Sequence, residues 1–195
     1  MVIRTGAPGM LPLGILLFVP QGVSSQDTQL PPCSDIGRAT SIEALLPCAE
    51  KGNTVAQLLL AARYALGVDV PEDDAEAVRW YRLAADQGYA AAQSNLGIKY
   101  EAGDGVPEDV AEAVRWFRLA ADQGYAQAQF NLGVKYALGD GVPEDFVLAY
   151  MWWNLSTAQG NETAQKNVEI VAKMMTRGQI VEAQKLSREW LERHR

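Results

Sequence analysis

Few residues of this chain could do chemistry. The only histidine, His194, sits next to the C-terminus, so a Ser-His or Cys-His arrangement around an interior imidazole is not expected. Two cysteines, Cys33 and Cys48, lack C-x-x-C spacing and have no histidine near them in sequence, which weighs against a metal pair or a redox centre. In an oxidising compartment they form a disulfide, a staple worth about 3 kcal/mol for a loop of this size. Carboxylates gather in Gly103-Asp104-Gly105-Val106-Pro107-Glu108-Asp109 and again in Gly139 to Asp145. An acidic glycine loop invites calcium, but the D-x-[DN]-x-[DN]-G order with a distal glutamate is missing. The same residues suit a turn and a helix start. No G-x-G-x-x-G or Walker sequence occurs, and no catalytic residue, metal or cofactor is expected.

The balance of the chain also excludes partners. Its 195 residues carry a formal charge of -7, and the basic residues are scattered instead of forming a stripe, so nucleic acid is a poor candidate. With 48% apolar residues it can bury a substantial core. Residues 1–25 stand apart: Arg4, the apolar run Leu11 to Val19, and then Gly22-Val23-Ser24-Ser25 read as a secretory signal peptide cut after Ser24 or Ser25. The run contains Pro12 and is half the ~20 residues a membrane span needs. The expected product is a periplasmic or secreted protein with no membrane insertion after cleavage. Two N-x-S/T strings, at Asn154 and Asn161, are short enough to arise by chance and do not argue for a glycoprotein.

What positions the remaining residues is a repeat. Gly88, Gly124 and Gly160 recur at a spacing of 36, as do Trp80, Trp116 and Trp152, Pro71, Pro107 and Pro143, and Ala56, Ala92, Ala128 and Ala164. Ala75 to Ala90 reads AEAVRWYRLAADQGYA and Ala111 to Ala126 reads AEAVRWFRLAADQGYA. A fixed period of this length with helical patterning inside it means stacked supersecondary units. Within 88–123, Ala92, Leu96 and Tyr100 fall on one face of a first helix, and Ala113, Trp116, Phe117 and Ala120 form a stripe on a second. Ala92, Gly97 and Ala113 let the two backbones approach. In the connector, Gly103 can take positive φ beyond a helix end, Gly105 permits the next reversal, Pro107 suits the start of the next helix, and Glu108 and Asp109 face its unpaired amides. The first unit has Val68-Asp69 in place of Asp104-Gly105, so its loop should be strained or differently turned.

Ala92-x-x-x-Leu96-Gly97-x-x-Tyr100, Gly103-x-Gly105-Val106-Pro107 and Ala113-x-x-Trp116 resemble the Sel-one-like repeat, a subclass of tetratricopeptide-type helical repeats. The resemblance implies an all-α fold, a right-handed α/α solenoid of antiparallel helix pairs. The expected organisation is a signal peptide (1–25), an N-terminal cap with the disulfide (26–51), three repeats (52–87, 88–123 and 124–159), then a degenerate unit and a C-terminal capping helix (161–195). Ser41 to Lys51 fits the second helix of a partial unit, with Pro47 interrupting that helix or starting its final turn.

The resemblance also implies scaffolding: such proteins bind a protein or peptide in a concave groove. By analogy, the groove is lined by Leu58, Ala62 and Leu66 of the first unit, by Ser94, Ile98 and Ala102 of the second, and by Phe130, Val134 and Leu138 of the third. Lys166, Ile170 and Met174 continue it in the degenerate unit. Arg63, Lys99 and Lys135 stand at its edge, where they could meet carboxylates of a partner. Two further readings stay open: an assembly or regulatory subunit of an envelope complex that packs through its ends with Trp152, Trp153 and Trp190, and a β-lactam-binding or hydrolysing protein. Relatives associated with the last carry a cysteine pair in each unit, which this chain does not. Oligomeric state and partner identity are not legible.

Overall fold

The computed structural model describes Cys33 and residues 41–194. The signal peptide read at 1–25 and most of the cap lie outside the described residues. Within them the chain forms nine α-helices and no strand: α1 (Ile42–Glu50), α2 (Thr54–Leu66), α3 (Asp74–Asp86), α4 (Ala90–Ala102), α5 (Val110–Asp122), α6 (Ala126–Leu138), α7 (Phe146–Thr157), α8 (Glu162–Ala172) and α9 (Arg177–Arg193). α2, α4, α6 and α8 are the first helices of successive units; α1, α3, α5 and α7 are second helices. Each full unit packs its two helices together, and each second helix also packs on the first helix of the next unit. The result is an α/α solenoid whose core falls in three successive clusters, bridged by half-buried Tyr100 and Tyr136.

Local chemistry sets the helix boundaries. The side chains of Asp73 and Asp109 accept the amides of Glu76 and Glu112 at 2.9 Å, and Asp145 accepts those of Val147 and Leu148. These caps close the start of α3, α5 and α7. α2, α4 and α6 end in a left-handed glycine such as Gly103 (φ 73°), whereas α8 ends at Lys173 in a right-handed conformation. α1 runs regularly through Pro47 and is not broken there. A proline six residues into a helix removes one ladder bond, and the burial of Leu45, Cys48 and Ala49 holds this short helix in place.

Small residues permit the close packing inside each unit. A Cβ on Gly97 would stand 2.7 Å from the ring of Phe117, and one on Gly133 would stand 2.6 Å from that of Trp153. Between units the devices are polar and periodic. The buried carboxamides of Gln57, Gln93 and Gln129 donate to the carbonyls of Ala49, Ala85 and Ala121 at 3.0 to 3.2 Å. They accept in turn from Gln87, Gln123 and Gln159 at 2.7 to 2.9 Å. Each pair adds a bond to a last-turn carbonyl that also accepts the amide of the glycine after the helix, Gly52, Gly88 or Gly124, and so ties the end of a second helix to the next unit, which explains why glutamine recurs in register with the alanines. The ladder stops at Gln165, which is exposed.

The first connector keeps the same turn as the others. Asp69 takes φ 64° where Gly105 has 72°, and its carboxylate pairs with Arg63. An exposed pair of this kind contributes about 0–1 kcal/mol, against a left-handed penalty of about 1–2 kcal/mol that aspartate partly escapes. Asp69→Gly is therefore expected to raise the melting temperature, by less than about 1 kcal/mol of stability; a clear fall in thermal denaturation would show that the ion pair outweighs the strain.

Cys33 and Cys48 are disulfide-bonded, with their Cα atoms 5.6 Å apart. Cys48 is buried in α1, and Asn53, which caps α2, also donates to the Cys33 carbonyl at 3.4 Å. The bridge thus ties the segment before α1 to the first turn of the solenoid. Cys33→Ser with Cys48→Ser should lower stability by about 3 kcal/mol in a denaturant titration. The loss should fall on α1 and α2, whose amide exchange would rise first.

Candidate functional site

The stripe along the first helices is graded from buried to open. Ser94 is 1% exposed and belongs to the core, so it cannot line an accessible groove. Leu58, Ala62, Phe130 and Val134 are half-buried, and Ala102 is exposed. Leu66 (72%), Ile98 (40%), Leu138 (69%), Ile170 (59%) and Met174 (63%) reach solvent. Each lies toward the C-terminal end of its first helix or just past it. There, i to i+4 spacing brings Ile98 and Ala102, Val134 and Leu138, and Ile170 and Met174 onto one face.

α9 does not cover this face. It packs along α7 and makes only marginal contact with α8, so it backs the second-helix side instead of closing the end of the solenoid. α7 is built to receive it. Where α5 presents Glu112, Arg115 and half-exposed Leu119, α7 has Leu148, Met151 and Leu155, the last of them 2% exposed. Trp190 meets Trp152 edge to face at 6.4 Å and stacks on His194 at 4.0 Å. Trp153 donates to the Phe130 carbonyl at 3.1 Å. All three tryptophans of the end-packing reading are therefore buried within the chain, which removes them as an oligomer contact.

The edge cations are also committed internally. Lys99 bridges Asp74 at 2.5 Å and Asp104 at 3.5 Å. Lys135, 3% exposed, bridges Glu101 at 2.5 Å and Asp140 at 2.6 Å, and Arg63 pairs with Asp69. Burial alone would lower both lysine pKa values, but the facing carboxylates outweigh it and hold them above the ordinary value. Raised ammonium pKa values stabilise the fold through the neutral range, and that contribution is lost only as pH climbs through the folded-state values in alkali. So Lys99 and Lys135 do not form a ladder available to a partner; they join neighbouring units.

A recess of about 370 Å³ opens between the third and fourth first helices. Val134, Leu138, Ile170 and Met174 wall it, Phe146, Trp153 and Val171 lie deeper, and Glu144 stands at its mouth. Comparing units in register explains why it is apolar here. Lys99 and Lys135 become Val171, Tyr100 and Tyr136 become Ala172, and the position that is Asp74 and then Val110 becomes the bulkier Phe146. The tyrosines bond to Arg82 and Arg118 in the earlier units. With those long polar groups gone, the fourth unit leaves a greasy hollow where the others have an ion pair and a phenol. Among the described residues no group of histidine, cysteine and carboxylate side chains could hold a metal, and no helix is long and apolar enough to cross a membrane.

A stack of helix pairs with such an exposed stripe is a helical-repeat protein of the kind that serves as an interaction scaffold. More narrowly, the chain belongs to the Sel1 repeat family, whose model matches residues 54–89, 90–125 and 126–161, two residues later than the units counted from the sequence. Among solved structures it is similar to a Sel1 repeat protein from Oxalobacter formigenes, with 41% identity over 66% of this chain and 96% of that one and a TM-score of 0.61. It is also similar to a protective antigen of uropathogenic Escherichia coli strains that displays an SLR fold, at 31% identity and TM-score 0.61 over 78% of this chain. This chain spans 40% of that antigen's length. No curated protein matches it.

Proposed function

We propose that the protein is an exported adaptor, periplasmic or secreted, that holds a partner protein against the apolar stripe of its first helices and catalyses no reaction. The observation that carries this reading is the solvent exposure of Leu66, Ile98, Leu138, Ile170 and Met174 on consecutive units. Side chains this large and apolar, aligned on one face and left open, are the mark of a contact surface. Export is supported by the signal-like leader in the sequence, by the Cys33–Cys48 disulfide, and by relatives that include a bacterial antigen.

The test compares capture by the mature wild-type protein and by an Ile98→Glu, Val134→Glu variant, each used as bait in an envelope fraction. A carboxylate forced into an apolar contact costs several kcal/mol, so the protein retained by wild type should fall more than about 100-fold in the variant. Helicity and oligomeric state should not change. Retention of the same protein by both baits would rule out the stripe as the binding surface.

A further inference from the structure

Resting on the adaptor reading, we infer that the segment held in this groove is cationic, seating a bulky apolar side chain in the recess between α6 and α8 and laying basic residues along the connector rim. The recess supplies the anchor site. At about 370 Å³ it falls in the range of cavities that enclose a compact ligand, and central apolar pockets of this kind carry most of the energy of a protein contact. Eight of its ten lining residues are apolar, with Asn167 and Glu144 the polar ones, so the group that enters is chiefly apolar.

The rim supplies the sign of the charge. Glu72, Glu108 and Glu144 occupy the same position in three successive connectors, are exposed, and enter no ion pair among the described residues. The connectors abut the neighbouring units: a Cβ on Gly141 would stand 2.9 Å from the Val110 carbonyl oxygen, so these carboxylates border one continuous edge. The cations nearby do not cancel them. Lys99 and Lys135 each already face two carboxylates, which leaves each cluster negative. Across the recess α8 and its C-terminal cap carry Lys166 and Lys173 with Glu162 and Glu169, a balanced set. An acidic partner segment would meet a rim of like charge, whereas a basic one would be drawn to it.

The probes are two fluorescein-labelled peptides of the same length with the same Trp-Leu anchor, one flanked by lysines and one by glutamates, titrated by anisotropy onto the full mature protein. The lysine peptide should bind at least tenfold more tightly at low salt, with the gap closing as salt is added. Ile170→Glu should abolish that binding even though it makes the surface more negative; this separates seating in the recess from general attraction to an acidic protein. Glu108→Lys with Glu144→Lys should transfer the preference to the glutamate peptide. Both sites are exposed, and circular dichroism checks that the variants fold. Equal binding, or a preference for the glutamate peptide that still depends on Ile170, overturns the cationic segment and leaves the adaptor reading standing. Lysine-peptide binding that ignores Ile170→Glu overturns both, and binding of neither peptide overturns the anchor and the rim as sufficient recognition.

Discussion

Gly105→Ala should destabilise the protein by about 3 kcal/mol or more, the sum of a left-handed backbone penalty and an overpacked contact. Gly105 sits at φ 72°, and a Cβ there would overlap the carbonyl of Asp74 and stand 2.7 Å from the Ala75 amide nitrogen. Those are backbone atoms in the first turn of α3, fixed by the Asp73 cap, and cannot swing aside as a side chain would. Gly88 makes the comparison clean. It too is left-handed, at φ 86°, but nothing stands within 4 Å of its missing Cβ, so Gly88→Ala should show only the backbone penalty of about 1–2 kcal/mol. A solenoid couples nearest neighbours. The extra loss in Gly105→Ala should therefore appear as weakened coupling between the first two units, with amide protection in α1 to α3 falling before that in α5 to α7. Equal losses in the two variants, measured by urea unfolding, would mean that the connector does not bear on α3.

The repeat was legible because its determinants are local and recur. Caps, turn glycines and the Ala-Leu-Tyr face each follow from residue type and spacing, so three copies of one pattern reinforce one reading. The disulfide was legible from the compartment argument. The stripe was legible as a pattern but not in its depth. Ser94 and Ile98 share a face by spacing, yet one is sealed and the other open, because exposure depends on how far the neighbouring unit overlaps each turn.

The recess and the internal pairing of the lysines were not legible, for different reasons. Lys99 and Lys135 read as a free edge because each takes one carboxylate from the preceding unit, Asp74 lying 25 residues before Lys99 and Glu101 at the end of α4, and a second only because the connector folds Asp104 or Asp140 back onto it. The recess comes from what the fourth unit lacks. Its signal lies at Val171 and Ala172, where the 36-residue pattern of lysine and tyrosine fails, and at Phe146, a position that varies in every unit. In a repeat protein the departures from the repeat are where surfaces become distinct, since identical units can only build identical walls.

Trp190→Ala should lower stability by about 3–5 kcal/mol, the usual loss for truncating a buried aromatic. The physical effect should be the release of α9. Trp190 is the largest side chain that α9 buries: it packs on Trp152, and its ring reaches to 3.6 Å from where a Cβ on Gly124 would lie, spanning the junction of the second and third units. Without it, only the small Ala183 and Ser187 stay fully buried, and half-buried Ile180 and Leu186 are the large apolar contacts left against the entropy of ordering a 17-residue helix. Leu148, Met151 and Leu155 of α7 would then face water. In α3 and α5 the same positions carry Glu76 with Arg79 and Glu112 with Arg115, ion pairs that tolerate solvent, but α7 has no such protection. The variant should bind a hydrophobic dye, lose amide protection along α9 and keep it in α2 to α5. Leu191→Ala, at a residue 42% exposed, should do little. If Trp190→Ala instead split an oligomer while α9 stayed protected, the indole would serve a contact between chains, and the arrangement of α9 on α7 would have to be abandoned.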